Sequence, residues 1–149
     1  MLSKAVRTGP RRWARMTRIA LEVVRLERRL RRTDVSVIAR SMGVSTDPDD
    51  PVPTSAIVFS LAEAERIQDV QRVLGHGPFN NTCLRQSLLV GSVLGDRDVR
   101  LRLGVKKVAG EVKAHAWLLV DGHCLDGYEV VDGPASGFAV LPIDVEAIR

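Results

Sequence analysis

The chain has 149 residues, 45% of them hydrophobic and 27% charged. That suits one globular domain with a real core and excludes wholesale disorder, collagen and a polytopic membrane protein. The net charge of +4 is uneven, because residues 1–33 hold 11 Lys and Arg against two acids while the rest hold 11 against 16.

Residues 11–32 read as one amphipathic helix, with Trp13, Met16, Ile19, Ala20, Val23, Val24 and Leu30 recurring at helical spacing between arginines. A nucleic-acid role would rest on this segment alone. It lacks the interleaved aromatics of a single-strand binder, so the expectation is a solvated arginine face and no nucleic acid. Thr33-Asp34 caps a second short helix holding Val35, Val37, Ile38 and Ala39. Ser45 to Pro53 is a loop of turn formers and acids. The chain thus reads as a single domain: a basic helical extension (1–44), a loop or linker (45–59) and a core (60–149).

Ser60 and Glu63 have capping-box spacing before a helix over Leu61–Leu74, which Gly75-His-Gly-Pro78 breaks. Asn81 or Thr82 is the natural N-cap of the next helix, placing Cys83 in its first turn. That helix is apolar almost all round, as expected if it is buried on most sides. The period then changes to two. Val99–Val105, Glu111–Val120 and Cys124–Val131 read as strands, Gly133-Pro134 ends the third, and Phe138–Leu141 adds a fourth. Asp121-Gly122 is a hairpin turn. Helices followed by an antiparallel sheet make an α+β domain.

A cysteine at a helix N-terminus is biased toward the thiolate, which is the nucleophile. Alone it is weak grounds, since free cysteine commonly acts as a small buried hydrophobe. His115 strengthens it. Strand alternation puts Val112, Ala114, Ala116, Leu118 and Val120 on one face, and Lys113, His115, Trp117 and Leu119 on the other. With a two-residue turn at Asp121-Gly122, Trp117 faces Asp126 and His115 faces Tyr128. Asp126 is then the diagonal neighbour of His115 on the same face. Asp121 is roughly 20 Å along the strand, and Glu129, opposite Ala114, points to the other face. Cys83, His115 and Asp126 therefore form a candidate nucleophile, base and orienting acid. Asn80 and Asn81 are candidate oxyanion donors beside the Cys83 N–H, and Trp117 is a candidate on the substrate side. His76, Cys83, His123 and Cys124 lack metal-ligand spacing, so no metal and no other cofactor is expected. Two cysteines and no secretory segment suggest a reducing, cytoplasmic setting, and no apolar run is long enough for a membrane.

Cys83-Leu-Arg-Gln-Ser-Leu, His115 following it by 32 positions within Ala114-His-Ala-Trp117, and Val120-Asp-Gly122 resemble one known family. It is the transglutaminase-like peptidase half of the lasso peptide biosynthesis B proteins, and the similarity runs over about Leu61 to Val131. The resemblance implies a papain/transglutaminase-like fold with a buried Cys-bearing helix on an antiparallel sheet. It implies a cytoplasmic cysteine peptidase, without cofactor, that removes the leader of a ribosomally made precursor peptide. A separate leader-recognition protein and an ATP-dependent cyclase would be its partners, and this chain would be the stand-alone peptidase. Cys83 would be nucleophile, His115 base and Asp126 the orienting acid, although the family's acid often falls one position later, at Gly127 here. The alternatives are a transglutaminase-like amidase or acyltransferase, or a non-catalytic scaffold.

Overall fold

The computed structural model describes residues 9–132, 138–141 and 143. Helix α1 (Pro10–Leu30) begins with proline at its first position, where the missing N–H costs nothing, and buries Ile19, Val23 and Leu26. Helix α2 (Val35–Ser41) starts from Asp34 and buries Ile38 and Ala39. Helix α3 (Leu61–His76) carries both capping-box bonds between Ser60 and Glu63. It continues past Leu74, since Gly75 is tolerated within its last turn. Helix α4 (Cys83–Val93) begins at the cysteine.

Strands β1 (Val99–Val108), β2 (Glu111–Val120), β3 (His123–Asp126), β4 (Glu129–Val131) and β5 (Ala139–Leu141) form one antiparallel sheet ordered β4-β3-β2-β1-β5. Asp121-Gly122 is the expected two-residue turn, with φ of 49° and 83°, and the register pairs Val120 with His123 and Leu118 with Leu125. A second turn of the same kind, Ala109-Gly110, joins β1 to β2. One expectation fails. Cys124–Val131 is not one strand, because Gly127 takes φ of 62° and turns the chain back, so that Asp126 pairs with Glu129. The fourth expected strand is present as β5, on the far edge beside β1. Gly133-Pro134 lies outside the described residues.

The sheet face holding Leu101, Ala116, Leu118, Val120 and Leu125 is buried beneath the helices. A Cβ on Gly91 of α4 would lie 2.5 Å from a Val44 methyl and 3.7 Å from Leu118, so the helix backbone rests directly on its neighbours. Each fully buried leucine here contributes roughly 1.5–3 kcal/mol. The basic helix α1 is tied to this core. The Nε atoms of Arg12 and Arg15 donate to the two oxygens of the fully buried Asp69 at 2.9 and 2.5 Å. Arg85 of α4 grips Glu27 with both Nε and Nη2. The loop after α2 is strapped to the opposite sheet face. Arg102 donates to Asp50 Oδ1 at 2.9 and 2.7 Å and to the carbonyls of Asp47 and Asp49, both at 2.7 Å. Among the described residues, no helix is long and apolar enough to cross a membrane.

Candidate active site

The face of the sheet away from α4 carries His115 and Asp126. His115 projects from β2 beside Trp117, and its Nε2 lies 2.9 Å from Asp126 Oδ1. In the Nε2–H tautomer the ring donates to Asp126, and the Nδ1 lone pair is the basic atom. The register explains the choice of acid, because the two-residue turn puts Asp126 on the His115 face. Of its rivals, Asp121 is engaged at the turn with Arg97 Nη1 at 2.7 Å and the Asp98 N–H at 3.1 Å. Glu129 requires a correction. Because β4 folds back, it stands opposite Asp126 and on that same face, exposed. Tyr128 is likewise not across from His115 but in the β3–β4 turn, where burial pushes its phenol up from the ordinary value.

The His115 ring is stacked near Trp117, with centroids 6.1 Å apart, and tilted against Phe138 at 5.2 Å. Gly104 on β1 lies opposite His115. A Cβ there would come within 2.8 Å of the Trp117 ring and 2.9 Å of the Phe138 Cβ, so the missing side chain of Gly104 gives both residues room over β1. Trp117 is 1% exposed. It also lines a cavity of about 490 Å³ between the strapped loop and the sheet, with Leu119, Cys124, Val131, Pro51 and Pro53.

Cys83 is the first residue of α4 and half-buried. Thr82 occupies the N-cap position but makes no side-chain cap bond. Its carbonyl accepts from the Gln86 N–H at 3.0 Å, and its hydroxyl accepts from Arg85 Nη1 at 3.0 Å. Thr82 thus leaves the first-turn N–H groups uncapped, and these favour an anion at the helix start. Asn81 Oδ1 accepts from Gln86 Nε2 at 2.7 Å, and the Asn80 carbonyl accepts from the Thr82 N–H at 3.1 Å; both asparagines are exposed. Gln86, one turn after Cys83, approaches the β3–β4 turn, where a Cβ on Gly127 would lie 3.4 Å from its Oε1. The start of α4 and the turn that follows Asp126 are therefore neighbours. No hydrogen bond joins Cys83 to His115 among the described residues.

The four residues weighed as metal ligands are engaged apart. His76 Nδ1 contacts the Arg72 carbonyl at 3.1 Å, His123 Nε2 contacts the Ser55 carbonyl at 2.7 Å, and Cys124 is buried on β3. No group of three or more potential ligands occurs among the described residues. Sequence reasoning missed Gln86, Gly104 and Phe138. Gly104 in an alternating strand was a signal for close approach of another group; Phe138 reaches His115 through β5 pairing, which no local pattern encodes. It also missed the Glu27–Arg85 clamp, in which the guanidinium holds the Glu27 carboxyl below the usual carboxylate range and anchors the turn carrying Cys83.

An α+β fold with a cysteine at the start of a helix packed on an antiparallel sheet defines a cysteine-peptidase-like architecture. The chain matches the profile of the transglutaminase-like superfamily over residues 6–142, and it belongs to that superfamily. The match takes in the basic N-terminal helix as well as the sheet. No curated protein and no solved structure matches the chain.

Proposed function

We propose that the chain is a cysteine peptidase that removes the leader from a ribosomally synthesised lasso peptide precursor, with Cys83 as nucleophile, His115 as base and Asp126 as orienting acid. The observation that supports this reading most directly is the bond from His115 Nε2 to Asp126. It suits the tautomer in which Nδ1 takes the thiol proton. The Cys83 sulfur then attacks the scissile carbonyl, forming the C–S bond while the π electrons move to oxygen. In this reading the Cys83 N–H and the Asn81 amide, whose own carbonyl accepts from Gln86, are the oxyanion donors. Collapse breaks the C–N bond, and the imidazolium gives its proton to the departing amine of the core peptide. Water, deprotonated by His115, hydrolyses the leader thioester and releases its carboxylate. A separate recognition protein delivers the leader, and an ATP-dependent cyclase closes the freed amine onto an acidic side chain.

The test is mass spectrometry of a precursor incubated with this protein and the leader-recognition protein from the same locus. Wild type should cut once, at the leader junction, and both Cys83→Ala and His115→Ala should lose turnover by at least about 10³-fold while keeping their far-UV spectrum. A Cys83→Ala protein that still supports maturation would make it a scaffold. A product in which an amine has replaced the leader's new carboxylate would make it an acyltransferase. Independently of any substrate, iodoacetamide should alkylate Cys83 well before Cys124, since the first sits at a helix start and the second is buried in β3. Equal rates in the folded protein would remove the case for an activated thiol.

A further inference from the structure

The face of the sheet that carries His115 continues toward the β1–β2 turn, and its next positions are both lysines. Lys106 and Lys113 are directly paired across β1 and β2, one step beyond the Gly104–His115 pair. Alternation puts both on the His115 face. Like charges placed directly opposite are destabilising, and among the described residues neither lysine forms an ion pair. The pair is also coupled to the site. Lys106 Nζ lies 4.3 Å from the centre of the Phe138 ring, which in turn lies 5.2 Å from the His115 ring. Two lysines thus share the stretch of sheet beyond His115, and among the described residues no carboxylate is paired with either.

We propose that Lys106 and Lys113 form a carboxylate-binding subsite for the substrate peptide. The proposal rests on the cysteine-peptidase reading, and it adds a substrate class: peptides carrying an acidic group close to the bond that is cut. Lys113 stands two residues before His115, roughly 7 Å along the strand. A peptide residue spans at most about 3.5 Å, so the bound carboxylate belongs to a residue one or two positions from the scissile bond. The same chemistry is offered by a Glu or Asp side chain and by a terminal α-carboxylate.

The experiment measures binding to Cys83→Ala protein by NMR titration, so absence of turnover leaves it intact. The probes are a capped Ala/Ser peptide with one central Glu, the same peptide with Gln, and the Gln peptide with a free C-terminal carboxylate. Binding of either charged peptide, with shifts at Lys106, Lys113 and His115 and at least about fivefold weaker binding of the capped Gln peptide, is the expected result. Which charged peptide binds tells an internal acidic residue from a chain end. Lys113→Gln alone, and Lys106→Gln with Lys113→Gln, should weaken the charged peptide, the pair by about five- to tenfold. Lys107→Gln, on the alternate face, should leave it unchanged. If Lys106→Gln perturbs the Phe138 contact and the fold, the exposed Lys113→Gln variant still decides. Binding of both charged peptides no tighter than that of the capped Gln peptide, or unchanged affinity in folded Lys113→Gln and double variants, overturns the proposal.

Discussion

On the helical side of the molecule the acids are met by arginines: Asp69 by Arg12 and Arg15, Glu27 by Arg85, and Glu63 by Arg97. On the open face of the sheet, Arg102 binds Asp50 and His115 binds Asp126, but Lys106 and Lys113 confront each other and Glu129 stands exposed beside Asp126. Charge on the first side is spent on joining elements. Arginine suits that work, because its planar fork binds a carboxylate through two nitrogens at once. On the second side Arg102 does the same for the loop it binds through Asp50, while Lys106 and Lys113 form no ion pair among the described residues. The basic N-terminal segment therefore owes part of its composition to docking α1, while the smaller lysine pair on the sheet forms no ion pair among the described residues.

The sharpest test of that contrast compares two aspartates. Asp69→Ala removes the anion that neutralises two arginines, one of whose nitrogens, Arg12 Nη2, is already buried without a hydrogen-bond partner among the described residues. Breaking a buried pair from one side is strongly destabilising. With Arg12 and Arg15 at 20% and 35% side-chain exposure, a loss of about 3 kcal/mol in urea unfolding is expected. Asp126→Asn, on the open face, should change stability by less than about 0.5 kcal/mol and instead cut precursor turnover by at least tenfold through loss of the His115 tautomer. If Asp126→Asn unfolds the protein and Asp69→Ala does not, the division between a clamped side and a working face is wrong.

How far the sequence carried each side follows the same division. The capping box at Ser60, the helix start at Cys83 and the Asp121-Gly122 turn are local signals, and all three stand in the structure. Because the turn length is local, the β2–β3 register and hence the choice of Asp126 were legible too. What failed was Cys124–Val131, where Gly127 in a run of strand formers was passed over. Its left-handed φ reverses the chain and moves Glu129 to the Asp126 face. The Arg12, Arg15 and Asp69 cluster was out of reach, since residues more than fifty positions apart meet only after α1 packs on α3. The Phe138 contact with His115 likewise depends on β5 reaching β1 across the sheet.

A smaller effect is expected from acid. Arg97 and the Ser60 N–H hold the Glu63 carboxyl down at about 2, and Arg85 holds Glu27 below its usual value. A carboxylate whose folded pKa is depressed contributes stability that is complete above its unfolded value near 4.5 and is lost as pH falls toward the folded one. Unfolding midpoints should therefore drop between about pH 4.5 and pH 2, with Glu63 supplying about 1 kcal/mol once solvent screening at this partly exposed pair is allowed for. Glu63→Gln should flatten that part of the profile. A profile that keeps its slope would mean that the arginine clamps do not carry the acid sensitivity.

The smallest expected effect falls on the open face and has the opposite sign. Lys113→Glu converts a like-charge cross-strand pair into an attractive one with Lys106, worth about 0.5 kcal/mol at this exposed position. For a chain of this length that raises the unfolding midpoint by roughly 1–2 °C. The gain should shrink as salt rises from roughly 50 to 500 mM, because solvent-exposed pairs are screened. Lys107→Glu, one residue along on the other face of β1 and paired with Val112, has no lysine opposite and should give less. A surface kept charged only for solubility would tolerate Lys113→Glu with no functional loss. A sheet face that holds two lysines for a substrate carboxylate should become more stable and bind that carboxylate worse in the same variant. Higher stability with unchanged substrate handling would leave the lysines as solvated hairpin residues and erase the contrast between the two sides.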